Sequence, residues 1–409
     1  MTQTMVSGNK GVIVTCAAVG INLILGALYA WGVIGKALVM QWHWTKTQAA
    51  LPFTVSAAAF ALTMIFAGRW QDKMGPRVVA RVGGIMFGVG LFTSAYATTP
   101  FEMLITFGLV GGIGIGLCYS ATTPPAIKWF SPSRKGIITG IVVSGVGLAA
   151  VYISPLTQFL LKATSIQQTF MVLGVAAIVL ISLLVQFLQN PPTGYVPPVN
   201  TAAGPAKAKV IFARRDVDWP EMIRSMAFCR LWVMFVLSAS AGLMIIAHVA
   251  IIAQKQANWQ WGFVPVATLA IFNTLGRLIS GSLSDRMGRT QTMLLAFTLQ
   301  AVNMLAFTHY TTPGLLVFGS AFTGLCYGTI FTLMPSATAD FYGIRNLGVN
   351  YGLVFTAFGV AAITGPVLGG KICDLTGSYA MSYTISAGML LVAAVLALTT
   401  RAPKAEPTP

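Results

Sequence analysis

GRWQDKMGPR at residues 68–77 and GSLSDRMGRT at 281–290 are one loop written twice, 213 residues apart. Each has an aspartate four places after a glycine (Asp72 after Gly68, Asp285 after Gly281), then a basic residue, a methionine and a second glycine. Each closes a long apolar run. Two further matches follow in the same order. Gly136, Gly140 and Gly147 return as Gly348, Gly352 and Gly359 at an offset of 212, and GLCY stands at 116–119 and again at 324–327. Collinear matches of this kind identify two homologous halves in the same orientation, a parallel repeat.

The chain between and around these loops is apolar. Of its 409 residues 56% are hydrophobic and 8% are charged, against roughly a quarter charged in soluble domains. Twelve apolar runs are long enough to span a bilayer: 11–35, 48–67, 78–98, 102–127, 136–161, 167–188, 228–252, 263–284, 291–309, 313–336, 347–372 and 378–400. A β-barrel would show short alternating segments instead. The fold expected is an all-α membrane protein of twelve transmembrane helices in two six-helix halves. Residues 1–190 form the first bundle, 191–226 a cytoplasmic linker rich in proline and basic residues, and 227–409 the second bundle. WPEMIRSMAFCRLW (219–232) reads as a surface helix leading into the seventh span. The first run lacks a small-residue cleavage pattern, so a span is expected there and not a signal peptide. Cys16, Cys118, Cys229, Cys326 and Cys373 lie in or beside apolar runs without any CxxC, so neither disulfides nor a zinc site is expected.

A net charge of +16 raises the question of nucleic acid, and the distribution answers it. With both termini on one side, nineteen of the 25 Lys and Arg fall on that side. Five (Lys36, Lys46, Lys162, Lys255, Lys371) fall on the other, and Arg277 on neither. The positive-inside rule places the termini and the linker in the cytoplasm of a cell (inner or plasma) membrane. The basic balance is topology, and the partners expected are lipid and a small ligand. A functional monomer is expected.

The G-x-x-x-D-[KR]-x-G-x-[RT] loops on a six-plus-six repeat resemble the signature loop of the major facilitator superfamily. Within it, KWFSPSRKGIITGIVVSGVGLAAVYISPL (128–156) and PSATADFYGIRNLGVNYGLVFTAFGVAAITGPVLGGKICDLTGSY (335–379) are similar to the monocarboxylate transporters and their microbial relatives, the oxalate–formate antiporters. The resemblance implies a secondary carrier of small carboxylates working by alternating access, with the substrate in a midplane cavity between the halves. It also has departures. Animal monocarboxylate transporters place an aspartate four residues before the arginine of span 8 and a lysine in span 1. Here the pair is Asn273 and Arg277, and NLILGALYAWG (22–32) has no lysine. Certain oxalate transporters have a lysine in span 11 where this chain has Phe358. One fixed positive charge remains, which suits one carboxylate, and Phe358 adds bulk that favours a short acid such as lactate or pyruvate.

Arg277 is therefore the first candidate. All nine acidic residues fall in loops or at span ends, and a charge at bilayer depth costs ~2.5–3.5 kcal/mol, so the residue should face a polar cavity. A guanidinium fork matches a carboxylate bidentately, as an ammonium does not. Snorkelling to the membrane edge and bonding to the carbonyls of broken helices are the plainer alternatives, but Arg277 lies roughly two turns inside its span. Asn273, Arg277, Ser280 and Ser284 share one helical face, and Asn273 could donate to a hydroxyl or the second carboxylate oxygen, or bond to another helix. His248 is the one histidine well inside a span, and histidine as a residue type is suited to carrying a proton near neutral pH; proton carriage and plain packing fit it equally. Tyr119 and Tyr327 end the repeated GLCY, where ordinary aromatic packing competes with a substrate contact. Leu28, Tyr29, Phe331, Phe355, Phe358 and Tyr383 are candidates for an apolar wall. Asp72, Arg77, Asp285 and Arg289 in the repeated loops read as gating residues that cap neighbouring helix ends.

Gly108, Gly112 and Gly116, with GGIGIG at 111–116, imitate a dinucleotide loop, yet no strand precedes them, and close helix packing explains the spacing. No HExxH, GxSxG or P-loop occurs, so neither an enzyme nor a cofactor or metal is expected. Without a buried carboxylate for a relay, three coupling modes stay open: a proton carried with the substrate, a proton held by His248, or carboxylate exchange. Proton symport leads on the resemblance.

Overall fold

The computed structural model describes residues 2–192, 194, 195, 197 and 216–400, apart from the side chains of 2–9, 46 and 47. Much of the linker lies outside the described residues, with Lys207, Lys209, Arg214 and Arg215 of the charge count, and so do Arg401 and Lys404. Among the described residues twelve helices are long and apolar enough to cross a membrane. They are α1 (Lys10–Gln41), α2 (Gln48–Met74), α3 (Pro76–Ser94), α4 (Pro100–Lys128), α5 (Pro132–Ala163), α6 (Ile166–Phe187), α7 (Met226–Ala257), α8 (Phe263–Met287), α9 (Arg289–His309), α10 (Pro313–Tyr342), α11 (Leu347–Thr376) and α12 (Ala380–Thr399). A short helix, Trp219–Arg224, precedes α7. It is separated from α7 by Ser225, whose hydroxyl accepts from Phe228 N at 3.2 Å and so starts a new helix. The protein is thus an all-helical, multi-pass membrane protein.

The repeated loop owes its shape to its second glycine. Gly75 between α2 and α3, and Gly288 between α8 and α9, have φ of 85° and 99°, a region that a side chain would strain. Each ends one helix and begins the next within a single residue.

Two compact units result. Unit 1 takes in α1–α4, α5 from Ile141, α6 and the first turns of α11, Leu347–Leu353. Unit 2 takes in Pro132–Gly140, α7–α10, α11 from Val354 and α12. In unit 1 the glycine spacing of α4 does what close packing requires. A Cβ on Gly108 would press on Val55, one on Gly112 would meet the Ser56 carbonyl at 2.5 Å, and one on Gly116 would meet Thr63 at 2.7 Å, all on α2. Within these spans the chain also leaves the regular helix. Gly26–Ala30 of α1 is 3₁₀, Leu104–Gly111 of α4 is π-helical, and α4 breaks again at Ala121–Thr122.

In unit 2, α8 and α10 approach through Gly276, Gly324 and Gly328, where any side chain would strike the carbonyls of Leu325, Leu269 and Asn273. The near end of the linker is tied down as well. Asp216 Oδ1 accepts from Ile344 N and Arg345 N at 3.1 Å each, and Val217 N donates to the Tyr342 carbonyl at 2.9 Å, across the turn before α11.

Candidate functional site

The close α8–α10 contact sets the geometry around Arg277. Gly328 brings α10 onto the backbone of Asn273, and Phe331, three residues on, then lies against the next turn of α8. The Arg277 guanidinium stands 4.7 Å from the centre of the Phe331 ring, a cation–π arrangement, and Nε donates to Asn273 Oδ1 at 3.0 Å. The Arg277 carbonyl accepts from Thr332 Oγ1 at 3.0 Å. Arg277 is 1% exposed, with Asn273, Ser280 and Ser284 buried on the same face. An arginine held this way is not snorkelling.

An aromatic wall closes around the pair. Phe331 meets Tyr327 at 5.1 Å and Phe358 at 5.5 Å, and Phe355 meets Phe358 at 5.2 Å. Phe235 of α7, which no sequence pattern singled out, touches Phe331 and Phe355 at 6.0 Å each and Phe358 at 6.5 Å. The one available signal is that Phe235 and Gly242 lie two turns apart on one face of α7, and Gly242 receives the Tyr327 ring. Arg277, Asn273, Tyr327, Phe331, Phe355 and Phe358 thus form one group within unit 2.

His248 and Tyr383 belong to a different group in the same unit. His248 Nδ1 lies 3.0 Å from the Met244 carbonyl, its ring packs on Tyr379 at 5.3 Å, and Gly369 leaves room for it. A carbonyl oxygen only accepts, so Nδ1 is the donor in that contact. The Tyr383 hydroxyl donates to Gln256 Oε1, and Lys255 Nζ lies 3.1 Å from Cys373 Sγ. Tyr119, Leu28 and Tyr29 fall in unit 1. Tyr119 is buried edge-on to Phe60 at 5.4 Å, and Leu28 and Tyr29 are half-buried on the 3₁₀ turn of α1.

The loop aspartates act on helix starts in both units. Asp72 accepts from Gly348 N and Val349 N (3.3 and 3.0 Å) at the start of α11, and Asp285 from Gly136 N and Ile137 N (2.9 Å each) at the start of α5. Each loop glycine packs on the matching helix glycine, Gly68 on Gly348 and Gly281 on Gly136. The rest is unequal. Arg289 pairs with Asp285 at 2.7 Å and with Asp340 at 2.8 Å, and Lys135 pairs with Asp340 at 3.1 Å. Arg77 instead donates to the Gln186 carbonyl at 2.6 Å, at the end of α6, away from Asp72.

Twelve apolar spans, a parallel repeat and a cation sealed inside one bundle define a polytopic membrane carrier. Comparison with known proteins gives the family. The model of the Major Facilitator Superfamily matches residues 12–307 and 264–409, and the chain belongs to that superfamily; it is a membrane transporter and not an enzyme. It is 26% identical to the uncharacterized MFS-type transporter YhjX of Escherichia coli K12, over 83% of this chain and 82% of that one. It is also 26% identical to the oxalate:formate antiporter of Oxalobacter formigenes, over 92% and 88%. Monocarboxylate transporter 13 of Rattus norvegicus is 23% identical over 92% and 85%. The solved structure of the proton:xylose symporter XylE superposes with a TM-score of 0.72 at 13% identity, covering 97% of each chain, a likeness of fold alone.

Proposed function

We propose that the protein carries small monocarboxylates of the lactate or pyruvate type by alternating access, in symport with a proton. The observation behind this reading is the Arg277 group. A guanidinium is held by Asn273 at Nε and by Phe331 across its face, which fixes the plane of a group whose geometry matches a carboxylate, while the phenylalanines give an apolar surface for a short carbon chain. A single fork neutralises a single carboxylate. The sequence relationship to an oxalate:formate antiporter and to monocarboxylate transporters supports organic anions as cargo. Exchange of one carboxylate for another is the second reading, and the antiporter relative favours it. The charge distribution supports cytoplasmic termini in a cell membrane, and a monomer suffices for a site built within one unit.

The test is uptake of radiolabelled lactate into proteoliposomes under an inward proton gradient, with and without a protonophore. Symport requires accumulation that the protonophore abolishes. Uptake that ignores the gradient but is accelerated by carboxylate inside the vesicles makes the protein an exchanger. Uptake in neither mode overturns the assignment to carboxylates.

A further inference from the structure

Away from Arg277, one end of unit 2 brings a lysine and a cysteine together. Lys255 stands in the last turn of α7 and Cys373 in the last turn of α11, 118 residues apart in the chain. Lys255 Nζ donates to Cys373 Sγ at 3.1 Å. The contact is held from a third side. The Tyr379 hydroxyl is hydrogen-bonded to the same sulfur, and the lysine nitrogen lies 5.9 Å from the centre of the Tyr379 ring. Tyr379 is itself buried against His248 at 5.3 Å and Tyr383 at 6.4 Å. Cys373 is 7% exposed, while Lys255, Asp374 and Leu375 are exposed, so the pair lies just beneath the surface.

The repeat does not require this pair. At the offset of 212 that relates α5 to α11, Leu161 takes the place of Cys373. The other cysteines differ as well. Cys118 Sγ donates to the Ala80 carbonyl at 3.4 Å, Cys326 is buried on α10, and Cys16 and Cys229 are exposed. Among the described residues, Cys373 is the one cysteine with an amine on its sulfur. The positive-inside reading puts this end outside the cell, on the side where oxidised thiols persist.

We propose that Lys255 and Cys373 are a redox-active pair, which a peroxide converts into a covalent nitrogen–sulfur bridge between α7 and α11. In the first step the sulfur attacks one peroxide oxygen. The O–O bond breaks, an S–O bond forms, and the thiol proton leaves with the departing hydroxide as water. The sulfur loses two electrons and the peroxide gains them, giving a sulfenic acid. In the second step Lys255 sheds one ammonium proton to bulk water, and the free amine attacks the sulfenic sulfur. An N–S bond forms, the S–O bond breaks, and a second N–H proton leaves with that hydroxide as another water. What favours the bridge is position. The nitrogen already stands at 3.1 Å, within the roughly 3–3.5 Å of a near-attack arrangement, so it competes with further peroxide for the sulfur. The bridge keeps Cys373 from the irreversible sulfinic stage, and a dithiol reopens it by returning two electrons.

The test is treatment of the purified full-length protein with hydrogen peroxide, followed by digestion and mass spectrometry. The peptides holding Lys255 and Cys373 should appear joined, about 2 Da below the sum of their masses, and dithiothreitol should separate them. Lys255→Arg keeps the positive charge but places at the sulfur a guanidinium that stays protonated and cannot attack. The joined product should then fall at least about tenfold, with Cys373 gaining oxygen instead. Wild-type protein unfolded before the peroxide should also lose the joined product, which keeps the test decisive should the variant fail to fold. A wild-type Cys373 that gains oxygen without joining Lys255 overturns the proposal. So does one that stays unreacted while Cys16 and Cys229 are oxidised, or a joined product as abundant from unfolded as from folded protein. The readout is a mass and involves no cargo, so it stands apart from the transport reading.

Discussion

Replacing Arg277 with lysine keeps the charge and removes the fork. Two losses follow and are measured separately. In the free protein the Nε bond to Asn273 (3.0 Å) goes, leaving the Asn273 oxygen buried and unserved, and the stack on Phe331 (4.7 Å) is weakened. An unsatisfied buried acceptor costs ~1–3 kcal/mol and a desolvated cation–π contact contributes up to ~2 kcal/mol, so Arg277→Lys should unfold at a lower temperature than wild type. In the complex, one of two charge-assisted hydrogen bonds to the carboxylate is lost. At ~1.5–3 kcal/mol that is roughly a 10- to 150-fold fall in kcat/KM for lactate. Arg277→Gln, which also removes the charge, should fall further. The assay is initial-rate uptake in proteoliposomes matched for protein content, beside a thermal melt of the same preparations. A lysine variant within about twofold of wild type in kcat/KM refutes the idea that a positioned fork binds the cargo.

Other predictions probe the surroundings. Asn273→Asp places an internal carboxylate on Arg277 and should raise KM for lactate at pH 7, since the cargo must then compete for the guanidinium; an unchanged KM would show that Asn273 does not hold Arg277 in the working state. Phe358→Lys adds a second cation beside Phe331 and should improve competition by a dicarboxylate relative to lactate; no improvement would invalidate the charge-matching argument. Gly328→Ala forces a methyl onto the Asn273 carbonyl, an overpacking cost of ~1–3 kcal/mol that a thermal melt should register along with reduced uptake. Asp285→Asn loses both the charge at the α5 start and the 2.7 Å pair with Arg289, and should slow turnover more than Asp72→Asn with KM for lactate little changed; a KM effect as large as the turnover effect would place Asp285 in binding and not in gating.

Much of this was legible in the sequence because it is local. The spans follow from hydropathy, the close packing of α4 on α2 from glycines four apart, and the Asn273–Arg277 contact from one helical turn. The breaks at Gly26–Ala30 and Ala121–Thr122 were not visible, since neighbouring spans can satisfy backbone groups that a regular helix would pair internally. Depth was the other gap. His248 lies on the same helix as Phe235 but thirteen residues on, about 20 Å along the axis, so an intramembrane histidine and a wall phenylalanine are not neighbours. Tyr383 went with His248 for the same reason. Phe235 was missed because its contacts reach α10 and α11, and nothing in its own span announces a partner about a hundred residues away. Arg77 shares a loop with Asp72, yet its side chain reaches the end of α6, a choice made by the fold.

The central claim is that Arg277 recognises a carboxylate, and the most direct measurement is calorimetric titration of the purified protein with lactate and with its neutral amide, lactamide. The two differ in little but charge and the fork's second acceptor. Lactate should bind the wild type and not Arg277→Gln, and lactamide should bind neither. Equal binding of lactate and lactamide, or undiminished lactate binding by Arg277→Gln, would contradict the account.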